Sequence, residues 1–191
     1  ISGPDKDEVR RLALEFAILT AARSGEVRGA TWAEVDLKSA TWAIPAERMK
    51  MKTPHIVPLS AQARNILEEL KEISYGRERV FPGDIDPTKS MSNNTILFAL
   101  YRMGYRGRMT GHGFRGVAST LLHEQGWLHE HIELQLAHQE RDETSAAYNH
   151  ALYLKPRSGM MQAWADYLDV LRQKKSEDAQ MPDDNMPPTG V

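Results

Sequence analysis

Hydrophobic positions recur at helical spacing over residues 5–20, where Val9, Leu12, Leu14, Phe16, Ile18 and Leu19 supply an apolar face. Asp5, Asp7 and Glu8 stand at the N-terminal end of this stretch, where the helix dipole favours acids. A short second helix is predicted over 24–29. Residues 41–44 and 56–59 have strand composition, and the polar stretch between them, rich in Lys and Met, predicts a small antiparallel sheet with Lys50 on its hairpin. Ser60 is placed to cap a helix carrying Ile66, Leu67 and Leu70, and Ser92 one carrying Ile96, Leu97 and Leu100. Between them, Val80-Phe81-Pro82-Gly83 closes one element with a turn.

After Thr110-Gly111 the helical pattern returns, with Phe114, Val117, Leu121 and Leu122 as its apolar positions and an end near Gly126. A shorter helix is expected over 128–137, a helical stretch around Tyr148, and another over 158–172 with Met160, Met161, Trp164, Tyr167, Leu168 and Leu171 on a broad apolar face. No internal repeat appears. The pattern as a whole predicts an α+β fold, mostly helical, with one small antiparallel sheet over residues 1–175. Residues 176–191 are acidic, Pro-rich and too poor in apolar side chains to offset the entropy of ordering them, so they read as a disordered tail.

Composition narrows this picture. A chain of 191 residues with 41% hydrophobic content suits one domain with one sizeable core. It begins at Ile1 and runs directly into a helical pattern, so an upstream segment is expected. No apolar run approaches the ~20 residues that span a bilayer, and no secretory leader is visible, which predicts a soluble, cytoplasmic protein without membrane contact. The absence of cysteine excludes disulfides, thiol nucleophiles and thiolate zinc sites. The formal charge of −2 argues against nucleic acid at first sight, but Glu177, Asp178, Asp183 and Asp184 of the tail hold four negative charges, and the body is weakly basic. Clusters such as Arg10-Arg11, Tyr101-Arg102 and Tyr105-Arg106-Gly107-Arg108 permit nucleic-acid binding if they gather on one face.

Candidate chemistry centres on His112-Gly113-Phe114-Arg115, where His and Arg three apart share a helix face. A guanidinium offers a planar fork to two phosphate oxygens, and an imidazole beside it donates a hydrogen bond or moves a proton. Upstream, Arg23-Ser24-Gly25-Glu26 follows the first helix and precedes Thr31-Trp32-Ala33-Glu34-Val35-Asp36. Lys50 stands seven positions before Val57 of Val57-Pro58-Leu59-Ser60. Downstream, Leu136-Ala137-His138 is followed ten positions later by Tyr148 in Ala146-Ala147-Tyr148-Asn149.

In these residues the chain resembles the tyrosine recombinase (phage integrase) family, in particular integrases of prophages and genomic islands. The resemblance spans about residues 5–154 and implies the tyrosine recombinase catalytic-domain fold. It places the first catalytic arginine on Arg23 with a supporting acid at Glu26, the hairpin lysine on Lys50, the central pair on His112 and Arg115, the third histidine on His138 and the nucleophile on Tyr148. It implies double-stranded DNA attachment sites as substrate, self-association to a tetramer on DNA, room for accessory DNA-bending or directionality proteins, and a place near the bacterial nucleoid. No metal or other cofactor is called for, and no ATP either, because a phosphotyrosyl bond conserves the energy of the phosphodiester.

The physical case stands beside the resemblance. Two arginines and a histidine around a phosphate stabilise the charge that builds on its non-bridging oxygens, a task that suits Arg23, Arg115 and His138. A phenol with an intrinsic pKa of about 10 needs a base, for which His112 is the candidate, and the leaving 5′ oxygen needs a proton, for which Lys50 is the candidate. Lys52, two residues on along what is predicted to be the same strand face, is the alternative acid. Each residue also has an ordinary explanation: Arg23 could cap the first helix and pair with Glu26, His138 could cap a helix end, and Tyr148 could be a half-buried core tyrosine. What these explanations leave aside is all six types in family order. His123, His129 and His131 crowd one region but lack carboxylate partners at metal-ligand spacing. Tyr153 rivals Tyr148 only by proximity. A type IB topoisomerase would share the chemistry, and a DNA-binding module that has lost activity is the alternative outside catalysis.

Overall fold

The computed structural model describes residues 5–50, 52–73, 76–138 and 153–180, with side chains as far as 177. Helix α1 (Lys6–Thr20) starts where the Asp5 carboxylate accepts from the Asp7 amide at 3.0 Å and ends at Ala21, whose φ of 51° turns the chain left-handed. The short α2 (Ser24–Arg28) follows at once. Three antiparallel strands come next, β1 (Val35–Asp36), β2 (Thr41–Ile44) and β3 (His55–Pro58), in the order β1-β2-β3. The two-residue β1 adds an edge that strand composition alone did not reveal. Trp42 lies opposite Val35 on one side and Val57 on the other. Alternation along β2 buries Trp42 and Ile44 and exposes Ala43, as a one-faced sheet requires.

Helix α3 (Ala61–Ile73) is capped as expected, its Ala63 amide donating to Ser60 Oγ at 3.2 Å. Helix α4 (Thr95–Arg102) starts later than a Ser92 cap implies: Asn94 holds the cap position, and Ser92 Oγ instead lies 3.0 Å from Thr95 Oγ1. Helices α5 (Gly113–Glu124), α6 (His129–Gln135) and α7 (Leu154–Gln180) complete the described elements. No described helix is long and apolar enough to cross a membrane.

Phe16 of α1 ties the main core together, with its ring 5.4 Å from Trp42 and 5.6 Å from Phe81. A second cluster joins α5, α6 and α7 through Ala118, Leu122, Ile132, Leu136, Met160, Met161 and Trp164, and reaches α1 where Trp164 Nε1 donates to Ile18 O at 3.0 Å.

Two predicted apolar positions are exposed instead. Val117 is 40% exposed because α5 turns Arg115, Ala118 and Leu122 inward instead. Leu171 is 43% exposed although it lies between Leu168, which packs on the core, and Arg172, which pairs with Glu15 of α1; the helix runs on through Gln180. That helix therefore continues past residue 175, where the tail was expected to begin.

Candidate active site

The site is built on two left-handed turns, one at each of two helix ends. Ala21 (φ 51°) closes α1 and delivers Arg23 to the start of α2; Ala137 (φ 48°) closes α6 and delivers His138. An L-residue in this region costs roughly 1–2 kcal/mol, so both turns must be held by their surroundings. Arginines hold them. Arg115, in the first turn of α5, donates from Nη1 to Ala21 O at 2.6 Å and from Nη2 to Leu136 O. Arg23 donates from Nη2 to the next carbonyl, Ala137 O, at 3.2 Å.

Arg23 is fixed a second time by Glu26, which is buried. The carboxylate accepts from Arg23 Nη1 at 2.9 Å and from the Arg23 amide at 2.9 Å, the acid's half of a capping box at the start of α2. Arg115 is only 3% exposed, and burial, with the Arg23 charge adding to it, pushes its guanidinium pKa down to about 10. It remains a cation at neutral pH. The predicted shared helix face of His112 and Arg115 takes a different form: His112 is the residue before α5 and is exposed, whereas Arg115 points into the protein.

His138 is 44% exposed at the end of this turn and donates from Nδ1 to Glu133 Oε2 at 2.9 Å. That bond places the proton on Nδ1 and leaves Nε2 as the nitrogen for a ligand. Arg23, which reaches this turn, also lines a cleft of about 590 Å³ together with Glu26, Lys50, Lys52 and His112. The two lysines do not share a strand face. Lys50 lies in a turn, Lys52 has a φ of 56°, and β3 begins only at His55, so both are loop residues on the rim of one cleft. Lys52 Nζ donates to Glu47 O at 3.4 Å. Of the residues singled out, Arg23, Glu26, Lys50, His112, Arg115 and His138 are thus drawn to one region, while Tyr148 lies outside the described residues.

The bland candidates have ordinary places. His123 Nε2 lies 3.0 Å from His129 Nδ1 on the surface, and His131 is buried with its ring 5.1 Å from that of Tyr153. Among the described residues no group of three or more His, Asp or Glu side chains could hold a metal ion. Arg10 and Arg11 are held by acids, Arg10 by Asp7 and Asp84, Arg11 by Glu8 and Glu15.

Two networks behind the site were not anticipated. Arg48 donates to Glu34 and to Glu26 O, and Trp42 Nε1 shares Glu34 at 3.0 Å, so the sheet is pinned to α2. Arg157, Gln135 and His55 form the second. The signal for Arg157 was present: it falls in helical phase with Met160, Met161 and Trp164, on the face that is buried.

Comparison with known proteins identifies the family. The model of the Phage integrase family matches residues 4–155. The integrase of Enterobacteria phage P4 is 47% identical over 180 residues, covering 86% of this chain and 41% of that protein. Prophage integrase IntA of Escherichia coli K12 is 44% identical over 156 residues, covering 82% of this chain and 38% of that protein. The chain therefore spans about two-fifths of the length of these relatives. Among solved structures, an integrase from mycobacterium phage Brujita superposes with a TM-score of 0.66 at 19% identity, over 81% of this chain and 51% of that one. A lambda integrase (75–356) dimer bound to a COC' core site superposes with a TM-score of 0.53 at 20% identity, over 74% of this chain and 52% of that one.

Proposed function

The chain belongs to the phage integrase family, and we propose that it is the catalytic domain of a site-specific recombinase that cuts and rejoins double-stranded DNA through a 3′-phosphotyrosyl bond to Tyr148. The observation that carries this reading is the convergence of Arg23, Arg115 and His138 on the single turn at 136–138, with Arg23 joining that turn to a cleft that also holds Lys50 and His112.

A phosphodiester seated at this turn meets a preorganised positive field. Arg23, partly exposed and fixed by Glu26, and His138 through Nε2 reach toward the non-bridging oxygens. Arg115 contributes its charge from below while holding the turn in shape. Because these groups are already oriented, little reorganisation is needed as charge builds on the oxygens. The Tyr148 oxygen attacks phosphorus while its proton passes to His112. The P–O5′ bond breaks, and the 5′ oxygen takes a proton from Lys50. Reversal with a different 5′ hydroxyl exchanges strands. Two solved relatives by fold are lambda integrase dimers on a core site, which supports DNA as the substrate; assembly to a tetramer and a cytoplasmic place near the nucleoid belong to the same proposal. The catalytic unit in this reading is the body through α7, which continues past residue 175 to Gln180.

The test is incubation of the protein with nicked attachment-site DNA, which traps the covalent intermediate by letting the short cleaved strand diffuse away. A phosphotyrosyl adduct mapped to Tyr148 is expected. Tight DNA binding with no adduct would instead establish a DNA-binding module without activity.

A further inference from the structure

Residues 139–152, which include Tyr148, are bounded by two described points, the turn that ends α6 and the start of α7. Arg157, in the first turn of α7, is 0% exposed. Its Nη2 donates to Gln135 Oε1 at 2.8 Å and to Ile56 O of β3 at 2.8 Å. Gln135 Nε2 donates in turn to Thr20 O at 2.9 Å, and Gln135 O accepts from His55 Nε2 at 3.2 Å. The consecutive carbonyls of Gln135, Leu136 and Ala137 are therefore taken by His55, Arg115 and Arg23. On the other side, the Arg157 amide donates to Tyr153 O at 3.0 Å, and Tyr153 packs on His131 of α6. Arg157 lies just beyond the residues matched by the family model.

A cation is an expensive way to fill this position. Burial pushes the Arg157 guanidinium pKa down to about 10, and a Met or Leu in phase with Met160 and Trp164 would pack the same face without that cost. What an apolar residue could not do is tie Gln135, three residues before His138, to the helix that begins just after the tyrosine segment. The Arg157–Gln135 bond fixes the separation between the two described points that bound residues 139–152, and it does so on the turn that holds the cations.

We propose that Arg157 is a positioning residue for the cleavage reaction: by clamping the start of α7 to Gln135, it sets where the tyrosine segment stands relative to Arg23, Arg115 and His138. This rests on the reading of Tyr148 as nucleophile. An attacking atom must sit about 3–3.5 Å from phosphorus, and a misplacement of about 1 Å can cost on the order of 10²-fold in rate. A loss of this kind belongs to the tyrosine alone and leaves the cation cluster intact.

Hydrogen peroxide separates the two. Its anion attacks phosphorus in place of the phenol, the same P–O5′ bond breaks, and the 5′ oxygen leaves with a proton. Single-turnover adduct formation is measured for the intact protein and for Arg157→Met and Arg157→Lys, and peroxide-driven cleavage for the same changes in a Tyr148→Phe background. Arg157→Met should slow adduct formation by about 10- to 100-fold, on the scale of a misplaced nucleophile, and Arg157→Lys by less. Peroxide cleavage should stay within about two-fold, since no oriented side chain is being placed. Equal losses in both reactions, or none in either, overturn the proposal. If Arg157→Met does not fold, Arg157→Lys carries the same comparison. If peroxide does not cleave, melting temperature and DNA affinity take its place: both unmoved supports positioning, and a parallel fall overturns it. An unsubstituted protein that forms no adduct overturns the reading of Tyr148 itself, whereas full-rate adduct formation by Arg157→Met overturns only the role of Arg157.

Discussion

Arg115 and Arg23 donate to adjacent carbonyls of one turn, Leu136 O and Ala137 O, from the starts of two helices that lie far apart in the chain. The first is buried and the second reaches the cleft, so the two arginines divide the work of one site into support and contact. Substitutions at the two positions should consequently fail in different ways.

Arg23→Ala is expected to reduce single-turnover cleavage by about 10² to 10³ while DNA affinity falls far less, because its contacts strengthen as charge builds in the transition state. Arg115→Ala should reduce cleavage and also lower the melting temperature. It strips hydrogen bonds from Ala21 O and Leu136 O, and a buried group left without a partner costs about 1–3 kcal/mol. Arg115→Lys, which keeps the charge but cannot bridge both carbonyls, should fall between. A fully stable Arg115→Ala would remove the supporting role.

Tyr148→Phe should abolish the covalent adduct and leave DNA affinity unchanged, since it deletes one oxygen. Tyr153→Phe should leave cleavage largely intact, because its ring is engaged with His131 rather than with the cleft. Gel analysis of the adduct decides both. Loss of the adduct on the Tyr153 change alone would move the nucleophile.

Lys50→Ala should be rescued by a substrate whose 5′ leaving group is sulfur, since a thiolate departs without a proton whereas an alkoxide does not. Lys52→Ala is the control, and the structure makes it a demanding one because both lysines rim the same cleft. Rescue of Lys52→Ala but not Lys50→Ala would transfer the role to Lys52, and rescue of neither would place the acid elsewhere.

Gly29→Ala should destabilise the protein by about 1–3 kcal/mol, the usual cost of overpacking. A Cβ at Gly29 would stand 2.8 Å from Arg48 Nη2 and push that side chain off Glu34 and Glu26 O. Gly25→Ala has open space around it and serves as the control in urea denaturation. Equal midpoints for the two variants would mean that the Arg48 network contributes little.

The helices and the two main strands were legible because their apolar spacing repeats over several turns or residues, as from Val9 to Leu19. The site was legible as a set of types in order. What the spacing could not convey is direction. Arg115 reads as a surface cation on any helical wheel that counts Val117 as core, and only the neighbouring carbonyls of Ala21 and Leu136 make its burial tolerable. Lys52 reads as a strand residue because nothing local announces its left-handed turn. Arg157 was visible as a charge in an apolar phase, but its partners lie on β3 and α6, contacts that no local pattern encodes.

Arg10 and Arg11 already hold carboxylates on α1 and its neighbours, whereas Lys50 and Lys52 have no acidic partner among the described residues. Arg102, Arg106 and Arg108 hold no carboxylate among the described residues either, Arg106 lying over the Tyr101 ring and Arg108 over that of Tyr105, so the free cations of a weakly basic body sit both at the cleft mouth and after α4. Toward a duplex, the substrate proposed above, a body so nearly neutral exerts little long-range pull. Its hold on random sequence should weaken only gently as ionic strength rises, since few counterions are displaced from the phosphates. The search for a target would then depend on frequent release and recapture more than on tight travel along the helix.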